Sequence, residues 1–268
     1  MRLAAVQYDI AWQKKSENWA AMRRLLQAAA LPAGSLALLP ELADTGFTMD
    51  TAAVLEGDSL ASATRMARDL SIAVVAGHGE RQDAEVCNAA SVIDARGEVL
   101  GTYRKVHLFS PGREHTSFKP GRSIVVAPVA CGGRTWQVCP LVCYDLRFPE
   151  LFRIAALAGA EVFVLGASWP AARAAHWRAL AIARAIENQA YVVACNRIGH
   201  DPHTEYAGGS IIVGPDGSIL AEAGNEACVL QADADHATLA RWRERFPALR
   251  DARRSLIGEA PIESLPMR

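Results

Sequence analysis

PLVCYDLRFPE, residues 140–150, places a cysteine between an apolar run and the start of a helix. The run Thr135–Val142 is rich in apolar residues and is predicted to be a buried strand. Pro149 and Glu150 indicate a helix start, because proline is tolerated in the first turn and a carboxylate favours the positive end of the helix dipole. Cys143 therefore lies in a strand-to-helix turn, a place where several hydrolase folds expose a nucleophile.

Short strand-like runs alternate with helical patterns along the rest of the chain. This alternation predicts an α/β protein in which helices pack on the outer faces of sheets. The other predicted strands are Leu3–Gln7, Leu36–Leu39, Ile72–Gly77, Ala89–Ile93, Val99–Arg104, Val162–Leu165, Tyr191–Cys195, Ser210–Val213 and Ser218–Ala221. The predicted helices are Glu17–Ala30, Leu60–Leu70, Glu150–Leu157 and Ala171–Glu187.

Two segments of the chain resemble each other, ASVIDARGEVLGTY (90–103) and GSIIVGPDGSILAEA (209–223). Each has an apolar strand, a turn closed by Gly97 or Gly217, and a return strand, which is the pattern of a β-hairpin. The repetition suggests two related halves that pack sheet against sheet.

The composition is typical of a soluble globular protein, with 268 residues, 51% hydrophobic and 21% charged. No linker rich in proline, glycine or serine divides the chain, so residues 1–256 are predicted to form one domain and residues 257–268 a C-terminal tail. The net charge of −1 gives no electrostatic reason to expect nucleic acid or an anionic membrane as a partner.

Targeting and metal-binding patterns are also missing from the sequence. No uncharged apolar run reaches the roughly 18 residues that a membrane span requires, and Met1 opens directly into a strand-like run. A cytoplasmic location is therefore expected. The six cysteines contain no CxxC pair, which disfavours disulfides and zinc. The loop residues 200–203 hold two histidines without further metal ligands, which favours a solvated loop, and no phosphate-binding glycine motif occurs, so nucleotide binding has no support.

Two charged residues at other predicted strand ends could activate a thiol at position 143. A thiol with a pKa of about 8.5 is mostly protonated at neutral pH and needs a base or a cation nearby. Glu41 follows the apolar run in LALLPEL (36–42), and Lys105 ends the strand in TYRKVHLF (102–109). Adjacent strands could bring both to the rim that carries Cys143. Taken singly, Cys143 also fits a core cysteine, and Glu41 and Lys105 also fit solvated charges at a sheet edge.

The blocks LPEL, YRKVHLF and CYDLRFPE resemble, in order and spacing, the three signature blocks of the nitrilase superfamily of carbon–nitrogen hydrolases. The opening AAVQ, the segment PGREHTSFKPG, the segment 176–199 and the closing RFPALRDARR fit as well, so the resemblance covers nearly the whole chain. It implies a four-layer αββα sandwich, assembled as a homodimer or larger homo-oligomer, with no metal or organic cofactor.

The resemblance also implies a catalytic mechanism. Glu41 would act as general base while the Cys143 sulfur attacks an amide carbonyl. Lys105 and the backbone N–H of Tyr144 would stabilise the tetrahedral oxyanion. Ammonia would then leave, and water would hydrolyse the remaining thioester. Glu114, the family's fourth polar residue, would orient Lys105 or the substrate; alternatively, it pairs with a surface cation.

Two further residues bear on the substrate, because the shared Glu-Lys-Cys set does not distinguish branches of the superfamily. Arg147 lies where the ω-amidase-like branch has an arginine that binds the substrate's distal carboxylate, a contact that suits the guanidinium fork. Alternatively, Arg147 forms an ion pair with Asp145 or Glu150. Trp169 resembles an aromatic that this branch places over the substrate chain; alternatively, it caps the core.

The predicted function is hydrolysis of a carboxylate-bearing ω-amide, such as an α-ketoglutaramate-like dicarboxylic monoamide, to the acid and ammonia. The expected partners are therefore the amide and water. Other hydrolases of the superfamily remain open alternatives, namely a deaminated-glutathione amidase, an N-carbamoyl amidohydrolase or a nitrilase. A non-catalytic interaction scaffold is the alternative from another class, and the intact Glu-Lys-Cys set disfavours it.

Overall fold

A computed structural model describes residues 1–131, 133–258 and 261–264 of the chain. The strands are β1 (Arg2–Gln7), β2 (Leu36–Leu38), β3 (Ala73–Gln82), β4 (Glu85–Ile93), β5 (Val99–Arg104), β6 (Ile124–Cys131), β7 (Arg134–Val142), β8 (Val162–Ala167), β9 (Tyr191–Asn196), β10 (Ile198–His200), β11 (Glu205–Ala207), β12 (Ile211–Val213), β13 (Ile219–Glu222), β14 (Cys228–Asp233) and β15 (Ile262–Ser264). The helices are α1 (Lys15–Ala29), α2 (Thr51–Leu55), α3 (Ser59–Leu70), α4 (Pro149–Leu157), α5 (Ala174–Asn188), α6 (His236–Arg245) and α7 (Ala248–Asp251).

Two large sheets have strand orders that correspond one to one. The first sheet has the order β14-β1-β2-β3-β4-β5, and the second has the order β6-β7-β8-β9-β12-β13, with β15 beside β6. In each sheet the three central strands are parallel and the flanking strands are antiparallel. The two hairpins seen in the sequence, β4–β5 and β12–β13, occupy equivalent edges of the two sheets.

The sheets pack face to face because strand side chains alternate between two apolar faces. Leu3 and Ala5 of β1 belong to a buried cluster that includes residues of both sheets. Ala4 and Val6, which point the other way, pack in a separate cluster with residues of α1 and α3. Helices α4 and α5 cover the outer face of the second sheet, where the Phe152 ring lies near a β8 phenylalanine. The predicted four-layer αββα sandwich is confirmed.

The chain segment after β2 passes unusually close to strands of both sheets. A Cβ atom added to Gly77 of β3 would lie 2.2 Å from the carbonyl oxygen of Pro40. A Cβ added to Gly166 of β8 would lie 2.5 Å from the carbonyl oxygen of Leu39. Side chains at these two glycines would clash with the backbone, so glycine is what allows Glu41 to enter the space between the sheets.

The ten predicted strands and four predicted helices each overlap an observed element, and the sequence missed the others. Strand β6 contains Pro128, which sequence patterns treat as a strand breaker. It is tolerated because β15 pairs only with Ile124–Val126, before the proline is reached. Strand β14 is a partly exposed edge strand without clear alternation. Within the described ranges, no helix is long and apolar enough to cross a membrane.

The segment predicted to be a tail, residues 257–268, contains β15. Residues Ile262–Ser264 pair in parallel with Ile124–Val126 and extend the second sheet by one strand. Residues 259, 260 and 265–268 of that segment lie outside the described residues.

Candidate active site

A cavity of about 650 Å³ lies where the ends of β2, β5, β7 and β8 meet. Glu41, Lys105 and Cys143 all line it, so the three residues that the sequence singled out are brought together. The remaining wall is largely aromatic and cationic, and it includes Trp12, Phe47, Met49, Phe109, Arg113, Tyr144, Arg147, Trp169 and Arg173.

Lys105 is the centre of a buried ionic cluster. Its Nζ atom donates to Glu41 Oε1 at 2.7 Å and to Glu114 Oε2 at 2.8 Å, and all three side chains have no exposed surface. Burial by itself lowers the pKa of Lys105, but the charges of Glu41 and Glu114 outweigh it, so the pKa lies above the ordinary lysine value. Lys105 is therefore a permanent cation at neutral pH.

Glu114 lies on a short 3₁₀ helix, Glu114–Thr116, beyond β5. Its Oε2 atom also accepts the backbone N–H of Phe109 at 2.6 Å, which ties the loop after Lys105 to the ionic cluster. Burial raises the pKa of Glu114, and the ammonium of Lys105 opposes that rise. Glu114 thus contacts the buried Lys105 rather than a surface cation.

The turn that carries Cys143 has an unusual backbone and a dense set of supports. Cys143 has a φ of +43°, a left-handed conformation that is uncommon for a residue with a side chain. The buried carboxylate of Asp145 holds this turn, because it accepts the N–H of Val142 at 3.1 Å and the hydroxyl of Tyr103 at 2.8 Å. It also accepts the N–H of His107 at 3.0 Å.

The environment of Cys143 favours the neutral thiol in the resting protein. Burial raises the pKa of Cys143, the charge of Glu41 raises it further, and Lys105 opposes both effects. Glu41 Oε2 accepts the N–H of Ser168 at 3.0 Å, which fixes the carboxylate beside the thiol. The Glu41 carboxylate is therefore the adjacent group that could accept a proton from this thiol.

Arg147 and Trp169 contact each other on the cavity wall. The guanidinium carbon of Arg147 lies 4.8 Å from the Trp169 ring centroid, in the geometry of a cation–π contact. The indole N–H of Trp169 donates to the carbonyl oxygen of Arg173 at 2.9 Å, which fixes the ring. Within the described part of the chain, Arg147 forms no ion pair with Asp145 or Glu150.

The histidine-containing loop at residues 200–203 contributes to the cavity wall. Asp201 accepts the backbone N–H groups of His203 and Thr204, both at 2.8 Å, and the hydroxyl of Tyr206. These four residues line the cavity. No group of three or more His, Cys, Asp or Glu side chains among the described residues could hold a metal ion.

The sequence reasoning missed several residues of the site. Asn88 and Ser168 both donate to Glu41, and Arg173 lies on the same wall as Arg147. Asn88 had one available signal, because it is an amide within an apolar strand run. Arg173 ends the short 3₁₀ helix Ala171–Arg173 before α5, within the helix predicted over Ala171–Glu187, but its position on the cavity wall left no signal in the sequence.

Comparison with known proteins agrees with this fold. The carbon–nitrogen hydrolase family model matches residues 2–244. The 2-oxoglutaramate amidase of Bacillus subtilis (strain 168) is 36% identical over 262 residues, which cover 95% of this chain and 98% of that protein. The omega-amidase YafV of Escherichia coli (strain K12) is 34% identical over 256 residues, which cover 94% and 96%.

A solved structure resembles the whole fold. The carbon–nitrogen hydrolase superfamily protein XC1258 of Xanthomonas campestris, crystallised with an arsenic adduct in its active site, superimposes with a TM-score of 0.84. It is 32% identical and covers 94% of this chain and 97% of that one. This chain therefore belongs to the carbon–nitrogen hydrolase family of the nitrilase superfamily. The family and the enzyme class predicted from the sequence are confirmed.

Proposed function

We propose that this protein hydrolyses the terminal amide of a carboxylate-bearing ω-amide, releasing the acid and ammonia through a thioester on Cys143. The observation that carries the proposal is the convergence of Glu41, Lys105 and Cys143 on one cavity whose wall also carries arginines. The similarity to a 2-oxoglutaramate amidase and an omega-amidase supports the substrate class.

Acylation begins with the neutral Cys143 thiol beside the Glu41 carboxylate. Glu41 takes the thiol proton as sulfur attacks the amide carbon, so the charge that the sulfur would hold in a buried site is avoided. The carbonyl oxygen becomes an oxyanion, which the ammonium of Lys105 stabilises together with the N–H of Tyr144. Tyr144 is the second residue of the 3₁₀ helix Cys143–Arg147, where an N–H lacks an intrahelical partner.

Glu41 then returns the proton to the amide nitrogen, the carbon–nitrogen bond breaks, and ammonia leaves the thioester behind. In the second half of the reaction Glu41 takes a proton from water, and the resulting hydroxide attacks the thioester carbon. The carbon–sulfur bond breaks, and the proton held by Glu41 returns to the sulfur of Cys143. Glu114 has no direct part in these transfers and serves to hold Lys105 in place.

The position of Arg147 supports a substrate that carries a carboxylate at the end distant from the reacting amide. A guanidinium binds a carboxylate bidentately, and Trp169 under its face holds the fork in one plane. Arg173 and Arg113 line the same cavity, so the wall carries several cations in addition to Lys105. An anionic amide is attracted to such a wall more strongly than a neutral amide is.

The proposal is tested by measuring ammonia release from purified protein over a panel of ω-amides, carbamoyl amino acids and nitriles. Dicarboxylic monoamides such as α-ketoglutaramate should give the highest kcat/KM. The Cys143→Ala variant, purified in parallel, controls for contaminating amidases. A higher kcat/KM for a carbamoyl amino acid, a nitrile or a deaminated peptide amide would contradict the proposed substrate class and would assign the protein to another branch of its family.

The sequence also led us to propose a cytoplasmic homodimer or larger homo-oligomer that acts on a small molecule without nucleic acid or membrane partners. The near-neutral net charge of −1 supports the absence of polyanionic partners. Light scattering coupled to size-exclusion chromatography measures the oligomeric state directly.

A further inference from the structure

Asn88, on β4 of the first sheet, is one of the site residues that no sequence motif pointed to. Its side-chain Nδ2 donates to Glu41 Oε1 at 2.8 Å and to Glu114 Oε1 at 2.8 Å. Its backbone carbonyl accepts the N–H of Lys105 at 2.8 Å. One residue therefore contacts all three members of the ionic cluster.

We propose that Asn88 is a positioning residue that spaces Glu41 and Glu114 around Lys105 and keeps Glu41 aimed at Cys143. This inference rests on the general-base role proposed for Glu41. The ionic cluster has two carboxylates and one ammonium, so a single cation has to serve two buried anions. The amide of Asn88 supplies two further hydrogens, one for each carboxylate, without adding a charge.

The orientation of the Asn88 amide follows from electrostatics. With the NH₂ group toward Glu41 and Glu114, both contacts are attractive, whereas the reversed amide would place its oxygen against two carboxylates. The observed orientation leaves Asn88 Oδ1 buried without a hydrogen-bond partner among the described residues. An unpartnered buried acceptor lowers stability. The stability of the fold therefore does not explain why this oxygen is left unpartnered. The contacts of the amide NH₂ group with the two carboxylates do explain it.

The strand position of Asn88 explains why it can reach both acids. In the register of β3 and β4, Asn88 is paired with Gly79. On the other side of β4 lies β5, which ends at Arg104, and the next residue, Lys105, donates its backbone N–H to the carbonyl oxygen of Asn88. The titratable groups around the carboxylate of Glu41 are Lys105, Glu114 and Cys143, which come from the segments after β5 and β7.

Removing the Asn88 amide takes away a hydrogen bond that favours the charged form of the Glu41 carboxylate. The acidic limb of the kcat/KM–pH profile should therefore move to higher pH by about one unit in Asn88→Ala and Asn88→Ser. At pH values below the limb, kcat/KM should fall by up to about 10-fold, and the loss should disappear as the pH rises above it. A residue that merely packs would lower the rate by the same factor at every pH.

Ser91→Ala is the matched control, because Ser91 is a buried polar residue of the same strand. It bonds His78 Nε2 at 2.7 Å and Thr102 Oγ1 at 2.8 Å, away from the ionic cluster. This variant should lose thermal stability and keep the pH profile of the parent. Circular dichroism on all variants checks that they are folded, and Asn88→Ser serves if Asn88→Ala is not.

The pH dependence of Cys143 alkylation by iodoacetamide gives a readout that needs no substrate. Thiol activation depends on ionised Glu41, so the Asn88 variants should show the same upward shift of the acidic limb. This shift is expected even if the protein hydrolyses a different amide from the one proposed. An alkylation profile in folded Asn88→Ala and Asn88→Ser that coincides with the parent and Ser91→Ala profiles would overturn the positioning role.

Discussion

The two sheets share one strand order and carry different chemistry at equivalent strand ends. Glu41 lies shortly after β2 of the first sheet, whereas Ser168 follows β8, the equivalent strand of the second. Glu41 supplies a carboxylate, and Ser168 supplies the backbone N–H that binds it. Cys143 follows β7, whereas the equivalent strand β1 is followed by Tyr8, a buried residue whose hydroxyl donates to the carbonyl oxygen of Ala43.

This difference shows that the two sheets repeat the same strand order, whereas the residues of the site are distributed between them. Glu41, Lys105 and Glu114 come from the first half of the chain, and the strained turn with Cys143 comes from the second. Neither sheet supplies both the proposed base, Glu41, and the proposed nucleophile, Cys143. The proposed base and nucleophile therefore meet where the two sheets pack together, in a buried space where electrostatic effects are stronger than in water.

The largest effect should come from Cys143→Ala, which removes the contribution of the second sheet. Without the sulfur no thioester forms, so kcat should fall by roughly 10⁴-fold or more. Cys139→Ala, four residues earlier on β7, is the control and should cost up to about 2 kcal/mol of stability with kcat unchanged. Mass spectrometry after substrate-protected iodoacetamide labelling checks the assignment; protection of any other cysteine would contradict it.

Glu41→Gln should produce the next largest loss, because it removes the base of the first sheet while keeping its shape. Both acylation and deacylation need this carboxylate, so kcat should fall by about 10²–10⁴-fold. Single-turnover measurements should show both steps slowed. If the variant keeps more than roughly a tenth of the parent kcat, Glu41 is not the base.

Lys105→Ala should slow catalysis about 10²–10³-fold through loss of oxyanion stabilisation, with kcat affected more than KM. It also leaves Glu41 and Glu114 buried without their cation, which should cost about 3–5 kcal/mol of stability. The double variant Lys105→Ala/Glu114→Gln should recover part of the stability and none of the rate. Recovery of both would mean that Lys105 acts only through folding.

Arg147→Ala should have an effect that depends on the substrate. Loss of a hydrogen bond to a charged group costs about 1.5–3 kcal/mol, so kcat/KM for an α-keto-ω-amide should fall roughly 10- to 150-fold. Arg147→Lys should recover only part, since an ammonium cannot reproduce the fork. A neutral amide of equal length is the comparison substrate. Equal losses on the charged and the neutral amide would exclude the carboxylate role and leave the hydrolase intact.

Cys195→Ala should have the smallest effect, and it probes the contact between the sheets rather than the site. Cys195 of β9 is fully buried, and its sulfur lies 3.2 Å from the carbonyl oxygen of Val6 in β1. Replacement should lower the free energy of unfolding by about 0.5–2 kcal/mol. Denaturant unfolding measures this loss, and kcat should not change; a large drop in kcat would mean that sheet packing controls the site more tightly than the contacts indicate.

The sequence predicted the framework well because its elements leave local signals. Apolar runs bounded by turn residues located the central strands, and the residues at their ends stood out because a core has no need of charges there. Strands at or next to a sheet edge gave weaker signals: β14 is half-exposed, and β6 carries Pro128, so neither has the sequence pattern of a buried strand.

The sequence by itself determined which residue types stand at the strand ends: Glu41, Lys105 and Cys143, each next to an apolar run. Tertiary structure alone decided how they are held. Asn88 and Ser168 lie 47 and 127 positions from Glu41, yet both donate to its carboxylate. Such contacts are set by strand order and by the packing of the two sheets, and no local pattern records them. The long-range geometry of hydrogen bonds in the buried space therefore turns a set of plausible residues into a site.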